Sequence, residues 1–174
     1  MATQVDIPGY AAGTWVIDTA RSNVSFQIRQ FGVATRGRFT DFEGTIVTAE
    51  NPLDSTVSTV IKTASVDTRN ERRDTHLRKP ELLSVEEHPT MTFTSTGIRA
   101  DGGGLFVDGD LTVRGVTHPV TLTVDLDSVA GEPLERVTAH TEVSRKAFGV
   151  VGPLRVVVSD KVKVTLEIVV SKQG

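Results

Sequence analysis

The sequence predicts an all-β domain, and three observations carry that reading. Of 174 residues, 26 are Val and 23 Thr, against 11 Ala and 11 Leu. β-Branched side chains lose rotamer freedom in a helix and pack well on a pleated surface, so this composition excludes a helical bundle. Apolar residues recur two apart in segment after segment, which sends them to one face of a strand. Between those segments fall short clusters of Gly, Asp, Asn and Pro, the residues that tight turns favour.

Thr14 to Asp18 is the first expected strand. Val24, Phe26 and Ile28 then alternate with Ser25, Gln27 and Arg29. Arg36 to Thr48 and Thr56 to Ser65 follow, separated by the turn residues Glu50-Asn51-Pro52. Alternation disappears between Asp67 and Pro89. There, Asn70 to Lys79 is rich in long straight side chains, with Thr75 as its one β-branched residue. This predicts a short surface helix, capped by Thr68 or Asn70 and ended by Pro80.

Thr90 to Arg99 resumes the strand pattern, and Asp101-Gly102-Gly103-Gly104 reads as a hairpin loop. Leu105, Val107, Leu111 and Val113 share one parity, interrupted by Gly109. After the turn Arg114-Gly115 come Val120, Leu122, Val124 and Leu126, then the turn Gly131-Glu132-Pro133 and a strand from Glu135 to Ser144. Val162, Val164, Leu166, Ile168 and Val170 close the series. Short links between alternating strands mean antiparallel hairpins. With about eight or nine strands, each with one wet and one dry face, a sandwich and an up-and-down barrel both fit. No linker or repeat divides the chain, so one domain is expected.

Charge and motifs remove several function classes. Lys and Arg total 19 against 22 Asp and Glu, a net charge of -3, which lacks the positive excess of a nucleic-acid coat. The absence of Cys removes disulfides, thiolate catalysis and Cys-ligated metals. No apolar run approaches the roughly 20 residues of a membrane helix; the longest comparable stretch is Val156-Val157-Val158. Met1 to Ala12 has neither a positively charged start nor a continuous apolar core, so no signal peptide and a cytoplasmic location are expected. His76, His88, His118 and His140 lack metal-ligand spacing, and no nucleophile elbow, P-loop or dinucleotide fingerprint is present. Neither a metal nor a cofactor is expected, nor is enzymatic activity.

Two groups of residues remain as candidates for function. Arg69, Arg72, Arg73, Arg78 and Lys79 place 5 of the 19 basic residues within 11 positions of the helical segment, opposed there by Glu71 and Asp74. Such a group can hold an anion through charge-assisted hydrogen bonds, but composition alone favours a solvated helix face with local ion pairs. The seven Phe residues fill a core by default. A barrel of about eight strands can instead enclose an apolar ligand.

A series of motifs runs along the chain in order, beginning with Trp15-Val16-Ile17-Asp18, Gly37-Arg38-Phe39 with Phe42-Glu43-Gly44, and Val66-Asp67-Thr68. Arg73-Asp74-Thr75-His76-Leu77-Arg78, Glu81-Leu82-Leu83 and Pro89-Thr90-Met91-Thr92-Phe93 follow. The series continues through Gly109-Asp110-Leu111-Thr112-Val113-Arg114-Gly115-Val116-Thr117, and through Arg145 with Phe148-Gly149-Val150, to Ser159-Asp160-Lys161-Val162. Together these motifs resemble those of the YceI-like polyisoprenoid-binding family. Leu82-Leu83 stands where the family often has an aromatic pair, which keeps an apolar lining and changes its shape.

The resemblance implies a closed antiparallel lipocalin-like barrel over residues 14–171, after an N-terminal extension over 1–13, with a short helical insertion near 70–84. It also implies a binding, storage or stress-related protein, without catalysis, whose lumen takes a long polyisoprenoid. A fatty acid, a quinone or an enzyme acting on a bound lipid are the alternatives. Within that barrel, strand parity assigns Phe26, Ile28, Phe39, Ile61, Met91, Phe93, Leu111, Val113 and Leu122 to the lumen. Phe42 joins the lipid-binding set with parity opposite to Phe39, so one of the two requires a bulge or faces outward. Leu77, Leu82 and Leu83 are expected to form an apolar lid, and Arg73, His76 and Arg78 to meet a polar or pyrophosphate head group. Val-rich chain ends and edge segments make a homodimer a candidate assembly.

Overall fold

A strand with one dry face must bury it, and here the sheet does so by curling onto itself. The computed structural model describes residues 12–102, 104–125, 136–151 and 158–173. Its strands are β1 (Gly13–Ile17), β2 (Asn23–Gln30), β3 (Val33–Phe39), β4 (Phe42–Thr48), β5 (Thr56–Lys62) and β6 (Val66–Asp67), followed by β7 (Thr90–Asp101), β8 (Gly104–Val113), β9 (Val116–Asp125), β10 (Arg136–Ser144) and β11 (Lys161–Lys172). Eight of them form the ring β1-β4-β5-β7-β8-β9-β10-β11, closed by pairing of β1 with β11. All these pairings are antiparallel. The fold is therefore a closed eight-stranded antiparallel barrel with one short helix.

β11 is shared. Its C-terminal end pairs with β1, from Ile17 opposite Val170 to Trp15 opposite Lys172. Its first half pairs with β2, from Asn23 opposite Glu167 to Gln27 opposite Lys163. β2 continues past that contact into a hairpin with β3, and β6 adds to the far side of β3 at Arg38 and Phe39. Phe31 and Gly32 make the hairpin turn with φ of 52° and 78° between the paired Gln30 and Val33. Positive φ at both central positions is the type I′ geometry that suits the twist of a two-residue hairpin. Arg114 and Gly115, with φ of 55° and 73°, join β8 to β9 in the same way.

Two expected strands are each divided. Arg36 to Thr48 is β3 and β4, separated by Thr40 and Asp41, which carry the chain from the β2 flank to the β1 flank. The break resets parity, so no bulge is needed and neither ring faces out: Phe39 and Phe42 are 9% and 5% exposed. Thr56 to Ser65 ends as a strand at Lys62, and a tight turn over Thr63–Ser65 leads into β6. Helix α1 (Glu71–Leu77) begins where its cap requires: the Asn70 side-chain oxygen accepts from the Arg73 N–H at 3.0 Å. The expected Leu126, Gly131-Glu132-Pro133, Gly103, Val156 and Val157, and the extension before residue 12, lie outside the described residues.

One end of the barrel is packed solid. Trp15 is 1% exposed and its indole N–H donates to the Thr48 hydroxyl at 2.8 Å. Leu105 is also buried, and Ile98 packs against the same core. Gly109, which interrupts the apolar parity of β8, is explained by its neighbour across the sheet. A Cβ there would strike the Phe93 ring and lie 2.7 Å from the Thr94 carbonyl oxygen. The missing side chain on β8 is the space that the aromatic ring on β7 occupies. Gly37 and the ring of Phe26 are related in the same manner. Gly109→Ala is expected to destabilise the fold by about 1–3 kcal/mol through overpacking, measured as a lower urea midpoint with unchanged slope.

Candidate functional site

Above the packed end, the inward faces of the strands leave a cavity of about 1070 Å³. That is just above the roughly 300–1,000 Å³ usual for small-molecule sites. Phe26, Ile28, Phe39, Ile61, Met91, Phe93, Leu111, Val113 and Leu122, which parity assigned to the lumen, all border it, and so does Phe42, whose parity had set it apart. Leu77, Leu82 and Leu83, from α1 and the turns after it, border it too. Val137, Val143, Val162, Val164, Leu166 and Ile168 complete the wall on β10 and β11. The same alternation that predicted those strands would have placed them.

Charge is confined to one end of this space. Its charged lining residues are Glu71, Arg72, Arg73, Lys79 and Arg145, from α1 with its flanks and from the end of β10. His76 borders the cavity beside them. Arg72 and Lys79 belong to the basic group singled out in the sequence but not to the expected head-group set, because helical spacing alone does not say which face of a short helix meets a lumen. Arg73 has a mixed position: it borders the cavity, but its Nε donates to the Thr68 hydroxyl at 2.7 Å and its Nη2 to the Thr68 carbonyl at 2.9 Å. Thr68 in turn donates from its N–H and its hydroxyl to the Asp74 carboxylate, which is 7% exposed. This chain of bonds fixes α1 against the barrel.

Arg78 is placed elsewhere. Its Nε and Nη2 donate to the carbonyls of Ala64 and Val66 at 3.0 and 3.2 Å, and it is not among the residues that border the cavity. The guanidinium clamps the end of the helix to the turn before β6. Among the described residues, no group of three or more His, Cys, Asp or Glu is placed to hold a metal ion. No described helix is long and apolar enough to cross a membrane.

Residues 15–170 match the YceI-like domain family. The chain belongs to that family. Protein YceI of Escherichia coli O157:H7 and that of Salmonella arizonae are each 43% identical to it over 112 residues, 63% of this chain and 59% of the relative. The match thus spans under two thirds of those proteins. BcnA of Burkholderia cenocepacia has the same fold with a TM-score of 0.79 and 25% identity, over 89% of this chain and 99% of BcnA. A polyisoprenoid-binding domain from Saccharophagus degradans, implicated in plant cell wall breakdown, shares the fold at a TM-score of 0.68 and 19% identity, over 91% of this chain and 98% of that domain.

The wall of this YceI-like barrel has a seam beside the charged end. β9 and β10 pair at Thr123 to Asp125 with Thr138 to His140, and among the described residues the ladder stops there, although both strands continue. Pro119 lies on the unpaired stretch of β9. Counting from the turn pair Val113 and Val116, alternation of the antiparallel ladder aims the nitrogen of Pro119 away from β8 and toward the seam, where no donor is required. Phe148, 4% exposed, stacks edge-on to the His118 ring at 5.2 Å, and the His118 Nε2 donates to the Ala147 carbonyl at 2.9 Å. A turn after β10 therefore covers what the strands leave open.

Arg145 organises that turn. Its Nε donates to Ser159 O at 2.9 Å, its Nη2 to Val158 O at 2.9 Å, and its Nη1 to the carbonyls of Val150 and Val151 at 2.9 and 3.2 Å. The planar fork joins two stretches of chain that a point charge would hold poorly. Arg145→Lys is therefore expected to lose about 1.5–3 kcal/mol of stability, read by urea denaturation, with faster amide exchange at Val150 and Val158. Asp160 supports the same turn: the Lys146 N–H and the Ser144 hydroxyl hold its carboxyl below the ordinary carboxylate range. The stabilisation is present above the unfolded value, near pH 3.9, and is lost as pH falls through the lower folded value. Melting temperatures followed down to about pH 2 should therefore fall less for Asp160→Asn than for the parent chain.

Proposed function

We propose that this YceI-like barrel binds a long polyisoprenoid chain, or a closely related apolar lipid, as a carrier or store, with the tail in the lumen and the polar head at the charged end. One observation carries the reading: a long apolar cavity whose charged lining residues all lie at one end. That is the polarity of an amphiphile. Burying hydrocarbon contributes about 0.8 kcal/mol per methylene-sized group, so tail length dominates affinity once ordering of the flexible chain is offset. The lumen selects for hydrocarbon and only weakly for its identity, and any preference among prenyl, acyl and quinone tails comes from shape. The head meets Arg72, Lys79 and His76, with Arg73 contributing from its fixed position. No chemical step is assigned to these residues.

Organic extraction and mass spectrometry of protein purified from its own host should recover a prenyl lipid. Recovery of none, together with no rise in melting temperature on adding polyprenyl alcohols or pyrophosphates, would sink the proposal. Arg72→Ala with Lys79→Ala should weaken a polyprenyl pyrophosphate by roughly tenfold or more, the scale of one or two lost charge-assisted hydrogen bonds, and the matching alcohol little. Arg78→Ala should instead lower stability and leave the ratio of the two affinities unchanged. Equal losses for both ligands in the Arg72/Lys79 variant would argue against a head-group role.

A further inference from the structure

The tip of the β2–β3 hairpin is an apolar point in an unexpected place. Phe31 is 66% exposed and Val33 68% exposed. Phe31 holds a φ of 52°, a left-handed conformation that a bulky residue adopts at a cost and that Asn or Gly would adopt more readily. The tip is also held firmly. Arg29 donates from Nη1 to Gly32 O at 3.2 Å, and its backbone exchanges bonds with Ser159, N–H to Oγ at 3.0 Å and carbonyl from N–H at 2.8 Å. An exposed aromatic ring on a strained but fixed turn has no packing role.

Its position relative to the lumen gives it one. Gln30, beside Phe31, borders the cavity and bridges to Val158. Arg145 holds the carbonyls of Val158 and Val151 on one guanidinium, and Val151 is 53% exposed. Phe31 follows Gln30 in the chain, Val33 pairs with Gln30 across the hairpin, and Val151 borders the cavity itself, so all three lie beside the cavity that Arg72 and Lys79 also border. Those two cations are in no salt bridge among the described residues, and Glu71 is the acidic residue that borders the cavity with them. Exposed apolar residues and unpaired cations beside one cavity are complementary to an anionic bilayer, whose surface attracts Lys and Arg while its interior accepts the ring.

We infer that the rim formed by Phe31, Val33 and Val151 docks the barrel, mouth first, on an anionic lipid bilayer. As a route for lipid transfer this rests on the carrier reading above, but the contact is measurable without it. A tail leaving the bilayer would then have a shorter path through water to the lumen, because the docked residues stand beside the cavity.

The test is cosedimentation with vesicles of phosphatidylcholine alone and with about one third phosphatidylglycerol, alongside binding of a fluorescent prenyl alcohol in vesicle-free solution. The chain should bind the anionic vesicles better, and less so as salt rises. Phe31→Ser with Val33→Ser should lower vesicle binding by about tenfold or more, the scale of withdrawing a Phe side chain from an apolar layer, and leave probe binding and melting temperature unchanged. Val47→Ser, at an exposed valine near the opposite end of the barrel, should behave as the parent chain. Failure of the parent chain to bind either vesicle, or equal binding by the rim variant, overturns the inference, and retained probe binding then leaves the carrier reading standing. Vesicle binding that depends on the rim, with no probe binding, supports the contact and removes the carrier reading. A dimer in sedimentation velocity that the rim variant abolishes, without vesicle binding, overturns the inference in favour of a second copy as the occupant.

Discussion

The architecture depends on β11 having two successive partners along one edge. β10 accompanies it from Ser144 opposite Lys161 to Arg136 opposite Val169. On its other edge, β2 takes the first half and β1 the last residues. If one strand filled that edge throughout, the barrel would be a plain ring with a short rim. Dividing the edge lets β1 close the ring at the packed end while β2 runs on with β3 as a projecting hairpin. Closure removes the sheet edge that would otherwise invite pairing with other chains. The projection builds one side of the mouth.

The division also explains how a barrel of this size is hollow at one end and full at the other. Trp15 on β1 fills the closed end and anchors its polar edge on Thr48. Toward the mouth, the wall residues on β10 and β11 are mostly Val, which present little volume into the lumen. Two of the large rings that point inward are set against glycines, Phe93 over Gly109 and Phe26 over Gly37. Rings are thereby held close to the wall, and the axis stays open. Low aromatic content and ring-on-glycine pairing act together here.

Much of this was legible in the sequence because it depends on period. A side chain's face is fixed by parity within a strand, so every lumen residue assigned that way borders the cavity. Parity fails where a strand ends without a conspicuous turn residue. Thr40 and Asp41 do not announce the break between Phe39 and Phe42, because it is made by a change of partner strand and not by a hairpin. The charged residues were less legible for a similar reason. Arg72, Arg73 and Arg78 share one short segment, yet one faces the mouth, one is bonded to Thr68 and one clamps the turn at Ala64 and Val66. Those fates depend on carbonyls distant in sequence, which composition does not reveal. Pro119 was a readable signal: a proline inside a strand pattern marks an edge, and the seam between β9 and β10 is one.

The seam, the Arg145 turn and the projecting hairpin all lie toward the same end, and on the proposed carrier reading this answers a conflict that any lipid-holding barrel must resolve. A continuous hydrogen-bonded wall with a packed floor is rigid, and interiors resist local change. A lipid tail nevertheless has to enter and leave. Here the ring is complete at the packed floor, and among the described residues the ladder between β9 and β10 is interrupted toward the mouth. Several backbone groups near the mouth are bonded by side chains. Arg145 donates to four carbonyls, Asp160 accepts from Ser144 and Lys146, and His118 donates to Ala147. Side chains thus replace strand pairing at this end, and bonds made by single side chains can be exchanged one at a time without opening the ring. Concentrating charge at the mouth is the other half of the same solution. Those cations reach water there, whereas in the apolar lumen each would carry a large desolvation cost.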